Sequence, residues 1–280
     1  MRRYAATADT VTDLLTSWGE PAYRAQQVIE GLYEQRRPLD ACTNIGKELR
    51  ARLADALPLA LDPVLEQVAQ DEQTAKWLWR THDGAQVETV LMRSPQRATV
   101  CVSSQAGCAM ACTFCATGQA GFERHLDPDE IVEQVARAQH ATDQRVSNVV
   151  YMGMGEPLAN FDAVWDSVET LHGRFGISAR HLTISTVGVV PGMRRLATAP
   201  LPVTLAVSLH APDDALRNEL VPLNRRYPIG EVLDAAAEVA RARGRRVTFE
   251  YAAIAHVNDS VAQADALAGL LTGFPGGVHI

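Results

Sequence analysis

Apolar residues recur at helical spacing through the first sixty positions: Val11, Leu14 and Leu15, then Val28, Leu32 and Tyr33, with Gly19 and Pro21 between them. The pattern predicts a small helical accessory domain over residues 1–60. From Pro63 to Pro95 the period falls to two. Residues 76–81 and 86–92 alternate on either side of His82-Asp83-Gly84, and an Asp-Gly pair between alternating runs predicts a β-hairpin, placed as a linker over 61–95. Beyond Arg97, strand-like and helix-like runs take turns to the end of the chain. Strands are expected at 99–103, 147–152, 181–186, 203–209, 246–254 and 277–280, and helices at 127–141, 161–173, 191–199, 229–243 and 260–272.

Repeated strand-helix units imply a parallel sheet with right-handed crossovers. Several of the strands are almost continuously apolar, as strands covered on both faces are. The expected class is α/β, with a partial (β/α)6 barrel over 96–280. A Rossmann sheet fits less well, because the first strand leads into a cysteine loop and not a glycine-rich phosphate loop. In barrels of this kind the chemistry gathers where strands end.

Composition narrows the partners. The 280 residues carry a net charge of -7, which argues against a generally basic nucleic-acid coat. The first sixty residues are close to neutral, so this segment is the better electrostatic candidate for approaching phosphates. No stretch reaches the roughly 18 apolar residues of a membrane span, and the charged start has no apolar run behind it. A soluble, cytoplasmic protein without a membrane partner is expected. Five cysteines in 280 residues are too few, and odd in number, for a disulfide scaffold.

Three of those cysteines, Cys108, Cys112 and Cys115, stand in C-x3-C-x2-C spacing on one short segment. A four-iron, four-sulfur (4Fe-4S) cube held by three thiolates keeps one iron open to a substrate or cofactor. A structural zinc site is the alternative, with His125 as a fourth ligand, although zinc sites usually use paired ligand elements. The expected strand ends carry further candidates. Tyr151-Met-Gly-Met-Gly-Glu-Pro157 offers Gly153 and Gly155 for close backbone approach and Glu156 as a carboxylate for an ammonium group. Ser185, Ser208 and His210 end the next two strands.

The cysteine triplet, with Phe114 before its third member, resembles the radical S-adenosylmethionine (radical SAM) enzymes. Cys101-Val-Ser-Ser-Gln-Ala-Gly-Cys108, Gly121-Phe-Glu-Arg124, Asn148-Val-Val-Tyr-Met-Gly-Met-Gly-Glu-Pro157, Leu182-Thr-Ile-Ser-Thr186, Ser208-Leu-His-Ala-Pro212 and Val257-Asn-Asp259 together resemble the RlmN family. That resemblance implies a dual-specificity methyltransferase acting on C2 of an adenosine in 23S rRNA and in tRNA. It implies one 4Fe-4S cluster on Cys108, Cys112 and Cys115, and two SAM per turnover. SAM would be bound by Gly155, Glu156, Ser185, Ser208, Leu209 and His210.

In the resembled family one SAM methylates a cysteine near the C-terminus. A second yields a 5'-deoxyadenosyl radical that activates this methyl group for addition to the electron-poor C2. Glu88 matches the proton acceptor, and Cys101 the cysteine that forms a transient disulfide with the C-terminal one. A reductase or flavodoxin-type electron donor and a monomeric state complete what the resemblance implies. Cys42 matches no functional position and is expected to pack in a helix.

The chain stops at Gly276-Gly-Val-His-Ile280, inside the sixth expected strand. The resembled family continues with more barrel, an asparagine that contacts SAM and the methyl-carrying cysteine. The expectation is a truncated chain that assembles a cluster without methylating RNA. Rival readings are a C8-directed adenosine methyltransferase of the Cfr type, a radical SAM activase acting on a partner protein, and a zinc-dependent RNA-binding module.

Overall fold

The computed structural model describes residues 1–280. In chain order the first elements are helices α1 (Ala8–Ser17), α2 (Tyr23–Ile29) and α3 (Lys47–Ala56), then strands β1 (Leu61–Val68), β2 (Thr74–Thr81), β3 (Gln86–Ser94) and β4 (Arg97–Cys101). A short strand β5 (Gln105–Gly107), helix α4 (Ala116–Ala120) and strand β6 (Phe122–His125) surround the cysteine segment. Next come α5 (Pro128–His140), β7 (Val146–Tyr151), α6 (Phe161–Gly173), β8 (Leu182–Thr186), α7 (Val190–Thr198) and β9 (Thr204–Ser208). The chain ends with α8 (Asp214–Leu220), α9 (Ile229–Arg243), β10 (Val247–Glu250), α10 (Val261–Leu271) and β11 (Val278–His279).

These elements form two compact units that interleave along the chain. The first contains residues 1–102, 126–149 and 163–178. Its strands β1 to β4 form an antiparallel meander. The Asp-Gly turn is as expected: Gly84 takes φ +91°, and Thr81 and Ala85 close the loop with a 2.9 Å backbone bond. Two features depart from the expectation. β1 lies outside the two runs expected to form the hairpin, and Leu61 is its one buried residue; Pro63 falls at a register shift, as prolines in sheets do. β4 has β7, the next expected strand, as one neighbour, and on its other edge it pairs antiparallel with β3, Val90 facing Cys101, a pairing the expectation did not include.

Helix α5 packs the unit's interior. Asp127 and Glu130 cap it reciprocally, Pro128 occupies the first turn, and Ile131, Val132 and Val135 are buried. Tyr4, Tyr33 and Phe175 form an aromatic cluster with the Tyr33 and Phe175 rings 5.5 Å apart at 87°. Cys42 is fully buried and packs against Gly31, where any Cβ would meet its Sγ at 2.6 Å.

The second unit contains residues 103–125, 150–162 and 179–280. Here β8, β9, β10 and β11 follow one another as parallel neighbours, with Ser185 beside Ala206 and Val207 beside Phe249. Their inward residues Ile184, Leu205, Val207 and Phe249 are buried, and the connections run through α7, through α8 and α9, and through α10. The expected parallel α/β core is therefore present as an open run of strands. Helix α8 was not foreseen; it is seven residues long, with Asp213 accepting the Leu216 N–H at 2.9 Å as its cap.

Candidate active site

The cysteine segment is shaped by its backbone. Gly107 has φ +70°, and a Cβ there would lie 2.1 Å from the Gly121 carbonyl, which instead accepts the Cys108 N–H at 2.8 Å. Ala111 also sits at positive φ, turning the chain between Cys108 and Cys112. The Cys115 N–H returns to the Cys112 carbonyl at 3.1 Å, and the Gln119 amide donates to the same carbonyl. Thr113 N–H bonds the Leu220 carbonyl at 3.0 Å, which ties the segment to the end of α8. Cys108 and Cys112 are nearly buried and Cys115 is partly open. Burial raises the Cys108 pKa, and pushes that of Cys112 up to about 12, with the neighbouring thiols adding to the effect.

These thiols line a cavity of about 310 Å³ together with Phe114, Gly153, Gly155, Glu156, Ser185, Ser208 and His210. The rest of the lining comes mostly from the ends of β7, β8 and β9 and the loops that follow them. Gly155 has φ +101°, and a Cβ there would lie 2.5 Å from Cβ of Gln105. The glycine is thus required by the protein's own packing. Gln105 explains that packing, since its Oε1 accepts the Glu156 N–H at 2.8 Å and its own N–H reaches the Met154 carbonyl.

Glu156 is 2% exposed. Its Oε1 accepts the Leu158 N–H at 3.0 Å and its Oε2 the Val187 N–H at 2.9 Å. Desolvation lifts its pKa to about 7 against those bonds. The carboxylate joins two strand-end loops while lining the cavity.

Ser185 and Ser208 bring their hydroxyls to 3.4 Å of each other on the same wall. His210 adopts φ +60°, and its Nδ1 accepts the Ala252 N–H at 3.0 Å. Desolvation first, and then the Arg217 charge, lower its pKa to about 4, so the ring is neutral with its proton on Nε2. The Phe114 ring meets it edge-on at 4.8 Å. Asn258 locks this corner, donating to the carbonyls of His210 and Ala252 at 2.8 Å each.

Eight of the candidate residues therefore meet at one cavity: the three cysteines, Gly155, Glu156, Ser185, Ser208 and His210. Leu209 is fully buried behind the wall, its carbonyl accepting from Arg217 Nε at 2.9 Å. Glu88 and Cys101 belong to the other unit. There Glu88 and Val90 share the more open face of β3, and Cys101 stands opposite Val90 on that face. Lys76 Nζ lies 2.9 Å from Glu88 Oε1. None of the five cysteines forms a disulfide. Gln105 and Asn258 stand within the motif blocks quoted above but carried no role there, and Arg217 and Glu250 stand outside them; a strand-end position was the one available signal for Glu250.

The donor set suits an iron-sulfur cube better than one zinc ion. Three thiolates in C-x3-C-x2-C spacing line one cavity, which matches a cube bound through three different irons, whereas a structural zinc site usually closes its tetrahedron with a fourth, paired ligand. His125, the alternative fourth zinc ligand, has its Nδ1 at 3.0 Å from Gln105 Nε2 and does not line the cavity.

A parallel run of strands whose ends converge with three cysteines on one cavity defines a class, and residues 102–267 match the radical SAM superfamily. Residues 5–58 match the ribosomal RNA large subunit methyltransferase N-terminal domain. A probable dual-specificity RNA methyltransferase RlmN from Frankia casuarinae is 54% identical over 277 residues, covering 93% of this chain and 66% of the relative. Its counterpart from Chloroflexus aurantiacus is 49% identical over 279 residues, covering 96% and 74%. The crystal structure of a radical SAM methyltransferase from Sphaerobacter thermophilus superposes with a TM-score of 0.89 at 49% identity, over 99% of this chain and 84% of that one. The chain belongs to the RlmN family. It spans about two thirds of the length of the Frankia relatives it matches.

Proposed function

We propose that this chain carries the radical-generating core of an RNA methyltransferase that transfers a methyl group to C2 of an adenosine in 23S rRNA and in tRNA. The observation that carries this reading is the cavity in which the cysteine triplet faces Glu156, Ser185, Ser208 and His210. A 4Fe-4S cluster bound there would supply the electron that cleaves SAM to a 5'-deoxyadenosyl radical. Cys108, Cys112 and Cys115 are the residues that would hold it, and the raised pKa values of Cys108 and Cys112 mean that metal binding must displace the protons of those two thiols.

The wall residues suit SAM by their chemistry. Ser185 and Ser208 present hydroxyls, neutral His210 presents an Nε2–H donor, and the loop at Gly155 presents backbone whose shape Gln105 and Glu156 hold. In the other unit, Glu88 is proposed as the acceptor of the C2 proton, and Cys101 as the thiol of the transient disulfide. The second SAM per turnover, a flavodoxin-type electron donor, a monomeric state and a cytoplasmic setting belong to the same proposal. The helices of residues 1–60 are proposed to contact RNA, supported by the match of that segment to the methyltransferase N-terminal domain. No helix is long and apolar enough to cross a membrane.

The test is anaerobic reconstitution with iron and sulfide, followed by SAM and dithionite. Four irons per chain and release of 5'-deoxyadenosine are expected. A colourless protein that retains zinc would overturn the reading in favour of a binding module. Mass spectrometry of the methylated adenosine from a family member of full length separates C2 from C8.

A further inference from the structure

Arg217 is the largest fully buried side chain of the protein, and no part of the proposed chemistry yet uses it. It projects from α8 behind the cavity wall and makes four hydrogen bonds. Nε donates to the Leu209 carbonyl at 2.9 Å, and Nη2 to the carbonyls of Val187 at 2.6 Å and Ser208 at 3.1 Å. Nη1 donates to Oδ1 of Asn224 at 2.8 Å. All four acceptors are neutral oxygens, so hydrogen bonding satisfies the guanidinium without cancelling its charge.

Burial pulls its pKa down to about 10, while Cys112 and Asp214 oppose the fall, and the group remains charged at neutral pH. The same helix supports the cysteine segment, through the bond from Thr113 to Leu220 and through packing of Cys112 against Ala211, Leu220 and Val221. An unneutralised cation in this setting is costly to keep, and a hydrophobic side chain of similar volume would fill the same space.

We propose that Arg217 is a positioning residue with two linked tasks: it holds the ends of β8 and β9 at the cavity wall, and its charge raises the reduction potential of the cluster carried by Cys108, Cys112 and Cys115. The inference rests on the cluster reading above. Its physical basis is that reduction makes the cluster one unit more negative, and a cation in a low-dielectric surrounding favours the more negative state. The fan to Val187, Ser208 and Leu209 places that charge and aligns the neighbours of Ser208 with one side chain. A lysine, with a compact ammonium, keeps the charge and loses the planar fork.

The experiment compares the reconstituted chain with Arg217→Met, Arg217→Lys and Asp214→Asn. Iron content, the midpoint potential by EPR-monitored redox titration and SAM binding by calorimetry are read for each. Arg217→Met is expected to hold full iron at a lower potential. Arg217→Lys is expected to stay nearer the parent potential while binding SAM about tenfold more weakly. Asp214→Asn removes a carboxylate from the far side of the Arg217–Asn224 pair, where Asp214 Oδ1 accepts from Asn224 Nδ2 and from the Ile229 N–H. It retains an acceptor for both bonds and is expected to shift the potential upward.

A parent potential in a fully loaded Arg217→Met protein overturns the inference and leaves the cluster reading intact. If that variant takes up no iron, Asp214→Asn decides, and an unmoved potential there overturns it. A parent chain that takes up no iron removes the cluster reading, and this inference with it.

Discussion

Gly155 shows how one residue can be required for a reason different from the one its position implies. A glycine at a strand end invites the idea of a ligand approaching the backbone, yet the crowding atom is Cβ of Gln105, and φ is +101°. Gly155→Ala is therefore expected to cost about 2 kcal/mol or more, from a disfavoured φ and overpacking together. Urea unfolding checks this, and a stability equal to the parent would refute the packing argument. Lys76 is a contrasting case. Its pair with Glu88 is 2.9 Å long, but the side chains are 40% and 42% exposed. Lys76→Ala is expected to change stability by less than about 1 kcal/mol. Any larger loss of methylation in a full-length relative would then report on Glu88 chemistry and not on folding.

At the level of elements, α5 and the start of β1 are joined by a buried carboxyl. Glu133 accepts the N–H groups of Ala60 at 2.7 Å and Leu61 at 3.2 Å, while desolvation pushes its pKa up to about 7. In the unfolded chain the group titrates near 4.5. Its folded pKa is raised, so its contribution is full below about pH 4.5 and is lost as pH rises through 7. The stability of the parent relative to Glu133→Gln is expected to fall between pH 4.5 and 8, by up to roughly 3 kcal/mol. Glu156 shifts in the same direction but is present in both proteins and cancels. A gap that stays constant in unfolding measured at pH 5 and pH 8 would show that the two backbone bonds keep Glu133 ionised throughout.

For the whole molecule, the division into two units separates cluster binding from the other proposed chemistry. The thiols of Cys108, Cys112 and Cys115 line one cavity of the second unit, while Cys101 and Glu88 lie on β4 and β3 of the first. Replacing any one of Cys108, Cys112 or Cys115 by Ala is expected to abolish the brown absorbance after reconstitution. Cys101→Ala and Glu88→Gln are expected to keep it. Loss of colour in the Cys101 variant would move that thiol into the cluster and undo the assignment.

The longer strands and helices beyond residue 97 lie within a few residues of their expected places, since apolar runs and their breaks directly reflect burial: α6 and α9 occupy 161–173 and 229–243, as their periodicity requires, whereas the short β5, α4, β6 and α8 are too brief to show a period. The cysteine spacing likewise placed three candidate donors together, because residues this close on one short loop reach the same cavity in almost any fold. Other features left no local trace. β1 exposes nearly every residue and is held by pairing with β2, a non-local choice. Arg217 looks like an ordinary polar residue in the sequence, Asn258 stands in a motif that says nothing of its task, and their partners lie up to 30 and 48 positions away. Burial and hydrogen-bond acceptors brought from distant segments turn them into parts of a site, and tertiary structure alone decides both.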